Sequence, residues 1–223
     1  TFISKLNSSG DFVWTKSLES INSITGRSIG VDSEQNVFTG GYFASSTDFD
    51  PGLSSFTLDT TSINDMFVSK LNSSGNFVWA KAIGGNGSDL AYGIDVDSSD
   101  YLHIAGYFSG TADFDTGAGT TSLTAGGTAD AFIMKIENDL IDPVVSASAS
   151  PGVTDDSTPD FTFSSTEAGT ATYGGSCSSV TTAITSGSNT VTFNSLTPGT
   201  YTNCTILITD ASGNISNTIT VPS

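Results

Sequence analysis

The sequence predicts an all-β protein in two parts, and three observations carry that prediction. The first is a repeat. Residues 67–79 restate residues 2–14 almost letter for letter, 65 positions later and without a gap. Gly106-Tyr107-Phe108 restates Gly41-Tyr42-Phe43, and Asp113-Phe114-Asp115 restates Asp48-Phe49-Asp50. A third copy opens at residues 132–136 and stops. A long period rich in β-branched and aromatic residues implies stacked sheet units. The second observation is composition: Ser, Thr and Gly are abundant, and helical stretches of Ala, Leu, Glu and Lys are absent. The third is a change of texture after residue 142, where short alternating runs recur roughly every ten residues.

Within the repeat the elements follow in order. Residues 90–97 alternate, with Ile94 and Val96 on one face, and predict a strand. Ser98-Ser99-Asp100 is a turn and residues 101–108 are a second strand. A Gly/Thr-rich loop holds Asp113-Phe114-Asp115, and residues 131–136 are a third strand. One copy earlier, residues 67–71 are that third strand, Asn72-Ser73-Ser74-Gly75 is its turn, and residues 76–83 are a fourth. Four antiparallel strands joined by hairpins describe a propeller blade.

Ala91-Tyr92-Gly93-Ile94-Asp95-Val96-Asp97, Ile104-Ala105-Gly106-Tyr107-Phe108, Phe67-Val68-Ser69-Lys70-Leu71 and Gly75-Asn76-Phe77-Val78-Trp79-Ala80-Lys81 carry a resemblance. Residues 1–136 resemble the bacterial β-propeller repeats of the SBBP type. That resemblance implies secreted or surface proteins with no common enzymatic activity. The copies supply strands three and four, then one to four, then one to three, short of a closed ring. Where the last fourth strand should begin, the chain reads Glu137-Asn138-Asp139-Leu140-Ile141-Asp142-Pro143. Thr1 falls mid-repeat, so the chain is expected to be the C-terminal piece of a longer propeller. The alternative is that identical chains complete one another's blades, since unpaired edges invite pairing.

After an acidic linker at residues 137–142, residues 143–223 predict an immunoglobulin-like sandwich. Runs at 161–163, 171–173, 191–193, 205–208 and 218–221 are its strands. Leu196-Thr197-Pro198-Gly199-Thr200-Tyr201 ahead of Cys204 reads as a tyrosine corner. Ser157-Thr158-Pro159, residues 164–170, Tyr173-Gly174-Gly175-Ser176-Cys177 and Thr209-Asp210-Ala211-Ser212-Gly213-Asn214 resemble bacterial immunoglobulin-like modules of large surface proteins. The resemblance implies a spacer, in many cases stiffened by calcium.

Charge and cysteine usage narrow the function. With 23 acidic against 6 basic side chains and a net charge of −17, nucleic acid and anionic membrane surfaces are poor partners. Cys177 and Cys204, both in the second part, predict a disulfide and an oxidising, extracellular or cell-surface location. No apolar run is long enough to span a membrane, and no signal peptide is seen. His103 is the only histidine and stands where the previous copy has Phe38, so it reads as a packed strand position. No triad or zinc set can be built around it. Trp14 and Trp79 occupy one repeat position and read as buried blade packing, with a sugar-stacking platform as the alternative.

Carboxylates supply the metal candidates. Asp139 and Asp142 of the linker and Asp210 and Asn214 of the F–G loop belong to the same end of a sandwich; they suit Ca²⁺, or they are a solvated acidic linker with Asp210 and Asn214 closing a turn. Asp48, Asp50, Asp113 and Asp115 flank inward phenylalanines; they bind a cation or cap turns. The expected function is structural or adhesive and non-catalytic. Expected partners are further propeller blades or identical chains, and a surface glycan or protein. A self-assembling filament or layer subunit and a carbohydrate-binding propeller are the rivals.

Overall fold

The computed structural model describes residues 1–117, 119–148, 152 and 154–221, and all of its regular elements are β-strands. The chain divides into two compact units, Thr1–Asn138 and Asp139–Ser223. The boundary falls inside the stretch read as a linker, because Asn138 is bonded to the repeat unit: Trp79 Nε1 donates to its carbonyl at 3.1 Å.

The repeat unit keeps the sequence period in three dimensions. Its strands are β1 (Phe2–Leu6), β2 (Phe12–Ser17), β3 (Glu19–Ser20), β4 (Ser23–Val31), β5 (Val37–Ala44), β6 (Thr47–Asp48), β7 (Thr57–Leu58), β8 (Asp65–Leu71), β9 (Phe77–Gly85), β10 (Leu90–Val96), β11 (Leu102–Phe108), β12 (Thr111–Asp113), β13 (Ser122–Thr124) and β14 (Asp130–Ile136). The first blade is the hairpin β1–β2, the second the meander β4-β5-β8-β9, the third β10-β11-β14. All pair antiparallel. The register of β4–β5 shifts between Gly26 and Ser28, and one period later that of β10–β11 shifts between Ala91 and Gly93. A bulge repeated at the same position is a built feature.

Small hairpins inside the second and third blades were not visible in the sequence. β6–β7 extends a sheet with β3, and β12–β13 pairs with Gly84 and Gly85 of β9. Each blade's last strand thus runs on to hydrogen-bond with the hairpin of the next blade, which links successive repeats by backbone.

The tight turns share one chemistry. Asn7, Asp32, Asn72 and Asp97 each donate their backbone N–H to the carbonyl of the residue four positions on, and each side chain accepts that residue's N–H in return. The second part repeats the device at Asp210 and Asn214. An Asx side chain that satisfies loop N–H groups explains why these positions are Asn or Asp.

Blades stack face on face. The front of the second blade presents Phe67 and Leu71, both fully buried, to Ile3, Trp14 and Leu18 of the first blade's side. Its back presents Gly30 and Gly40 to the third blade: a Cβ on Gly40 would meet the Ile94 side chain, which a larger residue would have to displace. Ser28 Oγ receives the Ile94 N–H at 3.0 Å across the same seam.

The second unit contains β15 (Val145–Ala147), β16 (Asp160–Ser165), β17 (Gly169–Gly174), β18 (Ala183–Ile184), β19 (Gly187–Thr192), β20 (Thr205–Thr209) and β21 (Ile219–Thr220). They form two sheets, β15-β16-β19 and β18-β17-β20-β21, the two layers of an immunoglobulin-like sandwich. Phe161, Phe163, Val191, Ile206 and Ile208 fill the space between the layers. Tyr201 forms the expected corner, its hydroxyl donating to the Thr197 carbonyl at 2.6 Å. Cys177 and Cys204 are joined, linking the segment after β17 to the start of β20.

Candidate functional site

The carboxylates predicted as metal ligands are partly brought together, all within the second unit. Asp139, Glu167 and Asp210 place carboxylate oxygens within 4.8 Å of one another. Asp139 lies ahead of β15, Glu167 in the turn between β16 and β17, and Asp210 directly after β20. Sheet pairing carries the last two together: Thr170 of β17 faces Thr209 of β20. Glu167 was not foreseen, because a single glutamate in a turn has no sequence signal until the sheet register is known.

Asn214 is at this site, but as a donor. Its Nδ2 bonds Asp210 Oδ2 at 2.8 Å and the Asp139 carbonyl at 3.1 Å. Asp142 stands outside the trio, although its charge reaches Glu167. Burial pushes the Glu167 carboxyl up, and the negative Asp139 and Asp210 raise it further. Such a group of acceptors, with no lysine or arginine paired to it among the described residues, can do one of two things. It can share protons, or it can take a hard divalent cation.

The Asp-Phe-Asp triplets are turn caps. Asp48 Oδ1 accepts the N–H groups of Asp50 and Phe56, and Asp113 Oδ1 accepts those of Asp115 and Thr121. Asp50 and Asp115 each accept a glycine N–H two residues on. Phe49 between them is fully buried. The Asp115 and Thr121 N–H groups hold the Asp113 carboxyl below the usual range. At Asp48 burial acts upward, but the Phe56 and Asp50 N–H groups outweigh it and lower the value.

The remaining polar candidates are engaged in blade architecture. Trp79 is buried and Trp14 only partly so. Each indole donates to the same place in the following blade: Trp14 to the Ser73 carbonyl at 3.3 Å, Trp79 to Asn138 at 3.1 Å. Lys5 and Lys70 reach those two carbonyls as well, at 3.0 and 3.4 Å. His103 is not packed as its predecessor Phe38 is; its Nε2 lies 2.9 Å from Asp97 Oδ2, with Lys135 Nζ 3.3 Å from the same oxygen. The His103 contact holds the Asp97 carboxyl far below its ordinary value.

Sequence reasoning missed one pair altogether. Asp65 and Asp89 are almost wholly buried, and a Cβ on Gly84 would lie 2.8 Å from an oxygen of each. Burial raises both carboxyls, against the N–H groups of Thr61 on one and Gly85 and Ser109 on the other. The charge of Asp65 raises Asp89 further. The one available signal was that Asp89 stands where the previous copy has Ile24.

Compared with known proteins, no family model matches the chain, and no curated protein matches it. No helix among the described residues is long and apolar enough to cross a membrane.

Proposed function

We propose that this chain is a non-catalytic structural and adhesive segment of a large secreted or cell-surface bacterial protein, with stacked propeller blades leading into an immunoglobulin-like spacer. The observation that carries the reading is the fate of the tryptophans and lysines of the repeat. Trp14, Trp79, Lys5 and Lys70 all reach the next blade's turn. Side chains so placed support stacking and leave no platform for a sugar at that position. The disulfide fits an oxidising compartment. A screen of surface glycans read by tryptophan emission tests this. A glycan that shifts the emission would make the carbohydrate-binding alternative the better one.

Calcium at Asp139, Glu167 and Asp210 belongs to the same proposal, as a stiffener of the spacer. Three acceptors of one sign repel, and a divalent cation offsets that repulsion. Binding to the folded state alone raises stability by about 2.7 kcal/mol at a hundredfold excess over the dissociation constant. Calorimetric titration of metal-stripped protein should show a calcium response that Glu167→Gln with Asp210→Asn removes. An unchanged response in that double variant would place calcium elsewhere.

Completion of blades by identical chains is less well supported. The first blade holds β1, a third strand, and the third blade holds β14, also a third strand. Joining two copies at those blades would duplicate that strand.

A further inference from the structure

We propose that Lys70 and Asn138 form an isopeptide bond, with Asp32 as the acid–base group that assembles it. The three side chains come together from three places in the repeat unit. Asp32 lies in the turn after β4, Lys70 in β8, and Asn138 two residues past β14. Lys70 Nζ lies 3.1 Å from Asn138 Oδ1, so the amine already rests against the carboxamide it attacks. Asp32 Oδ2 reaches both partners. It accepts from Asn138 Nδ2 at 3.4 Å and lies 3.8 Å from Lys70 Nζ.

The surroundings suit the reaction. Lys70 is 8% and Asp32 5% exposed. Phe38, fully buried and paired with Lys70 across the sheet, sets its ring 5.2 Å from Nζ. Trp79 donates to the Asn138 carbonyl at 3.1 Å and holds that residue in place. The Asp32 carboxylate is fixed by Asn36, accepting its backbone N–H at 2.8 Å and its Nδ2 at 2.7 Å. Groups held in this way react within one molecule, which removes much of the entropic part of the barrier. The apolar wall keeps water from competing for the carboxamide carbon.

The step balances without a co-reactant. Asp32 takes a proton from the Lys70 ammonium, and the neutral Nζ attacks Cγ of Asn138. The Cγ–Nζ bond forms, and Asp32 gives the proton to Nδ2 as the Cγ–Nδ2 bond breaks. The released ammonia takes up the surplus proton of Nζ and departs as ammonium past the half-buried Asn138. No oxidation state changes.

The repeat holds two comparisons. Lys5, Lys70 and Lys135 are equivalent positions, as are Ser8, Ser73 and Asn138. Lys5 reaches the Ser73 carbonyl at 3.0 Å much as Lys70 reaches that of Asn138, but serine has no carboxamide. Lys135 lies 3.3 Å from Asp97, the equivalent of Asp32. Among the described residues, Lys70 is the one of the three that meets both a carboxylate and a carboxamide. The bond joins residues 68 apart, and fastens the second blade covalently to the end of the third.

The test is the intact mass of the reduced full chain, followed by tryptic mapping. The parent should weigh one ammonia less than its sequence, resist cleavage after Lys70, and yield a branched peptide joining Lys70 to Asn138. Asn138→Ser, which restores the residue of the earlier copies, and Asp32→Asn should keep the parent's circular dichroism yet show their full sequence masses. A parent at full sequence mass with no branched peptide overturns the proposal. So does an ammonia loss that persists in Lys70→Arg, since Asn138 has then closed on the Asp139 backbone nitrogen as a succinimide. A branched peptide that forms as readily in Asp32→Asn overturns the role given to Asp32.

Discussion

Asp65 and Asp89 set the chain's pH response at the scale of single residues. Both carboxyls are raised by burial, and neither pairs with a cation among the described residues. A raised value in the folded state means that the folded chain holds these protons when the unfolded chain has released them. Their contribution to stability is complete below the unfolded value of about 3.9, and is lost as pH rises through the raised value. Asp89→Asn mimics the protonated form and can still accept the Gly85 N–H. Its urea midpoint relative to the parent should therefore climb between pH 4 and pH 7. A difference that stays flat across that window would mean the carboxyl is ionised without penalty. Asp97 and Asp113 work in the opposite direction, being lowered, and their contributions are lost as pH falls. The comparison of variant with parent cancels them.

Among single strands and turns, equivalent positions of successive repeats differ in burial. Trp79 is buried against Phe38, with ring centroids 6.0 Å apart, and Trp14 is partly exposed. Trp79→Ala should cost about 3–5 kcal/mol, as large-to-small changes in a core do. Trp14→Ala should cost clearly less, and equal losses in thermal melts would contradict the difference in burial. In the second unit, the disulfide closes a separation of 27 residues. By the chain-entropy estimate it adds roughly 3 kcal/mol, so the Cys177→Ala, Cys204→Ala variant should melt well below the parent. The elements legible in the sequence were those long enough to show alternation, such as β10, β11 and β16. Of the two-residue strands, β21 lies within the alternating run 218–221, whereas β3, β6, β7 and β18 show no alternation and only their partners define them. The candidate cation site was half legible for the same reason. Asp139 and Asp210 stood out at the expected end of a sandwich, but Glu167 reaches them through the register of β17 on β20. Asn214 lies beside both, its Nδ2 donating to Asp210 Oδ2 and to the Asp139 carbonyl.

Across the repeat unit as a whole, the blades form an interlocked stack. Each blade presses on the next through the same positions, and the seam between the second and third closes where Ile94 enters above Gly40. Filling that space by Gly40→Val should cost about 1–3 kcal/mol as an overpacked contact. The most direct measurement is native-state amide hydrogen exchange of this variant beside the parent. β10, β11 and β14 should lose protection together, exchanging roughly five- to a hundredfold faster, because the third blade loosens as one unit. The strands β15 to β21 should exchange as in the parent. Faster exchange confined to β5, with β10 to β14 still fully protected, would contradict a stack held together blade by blade.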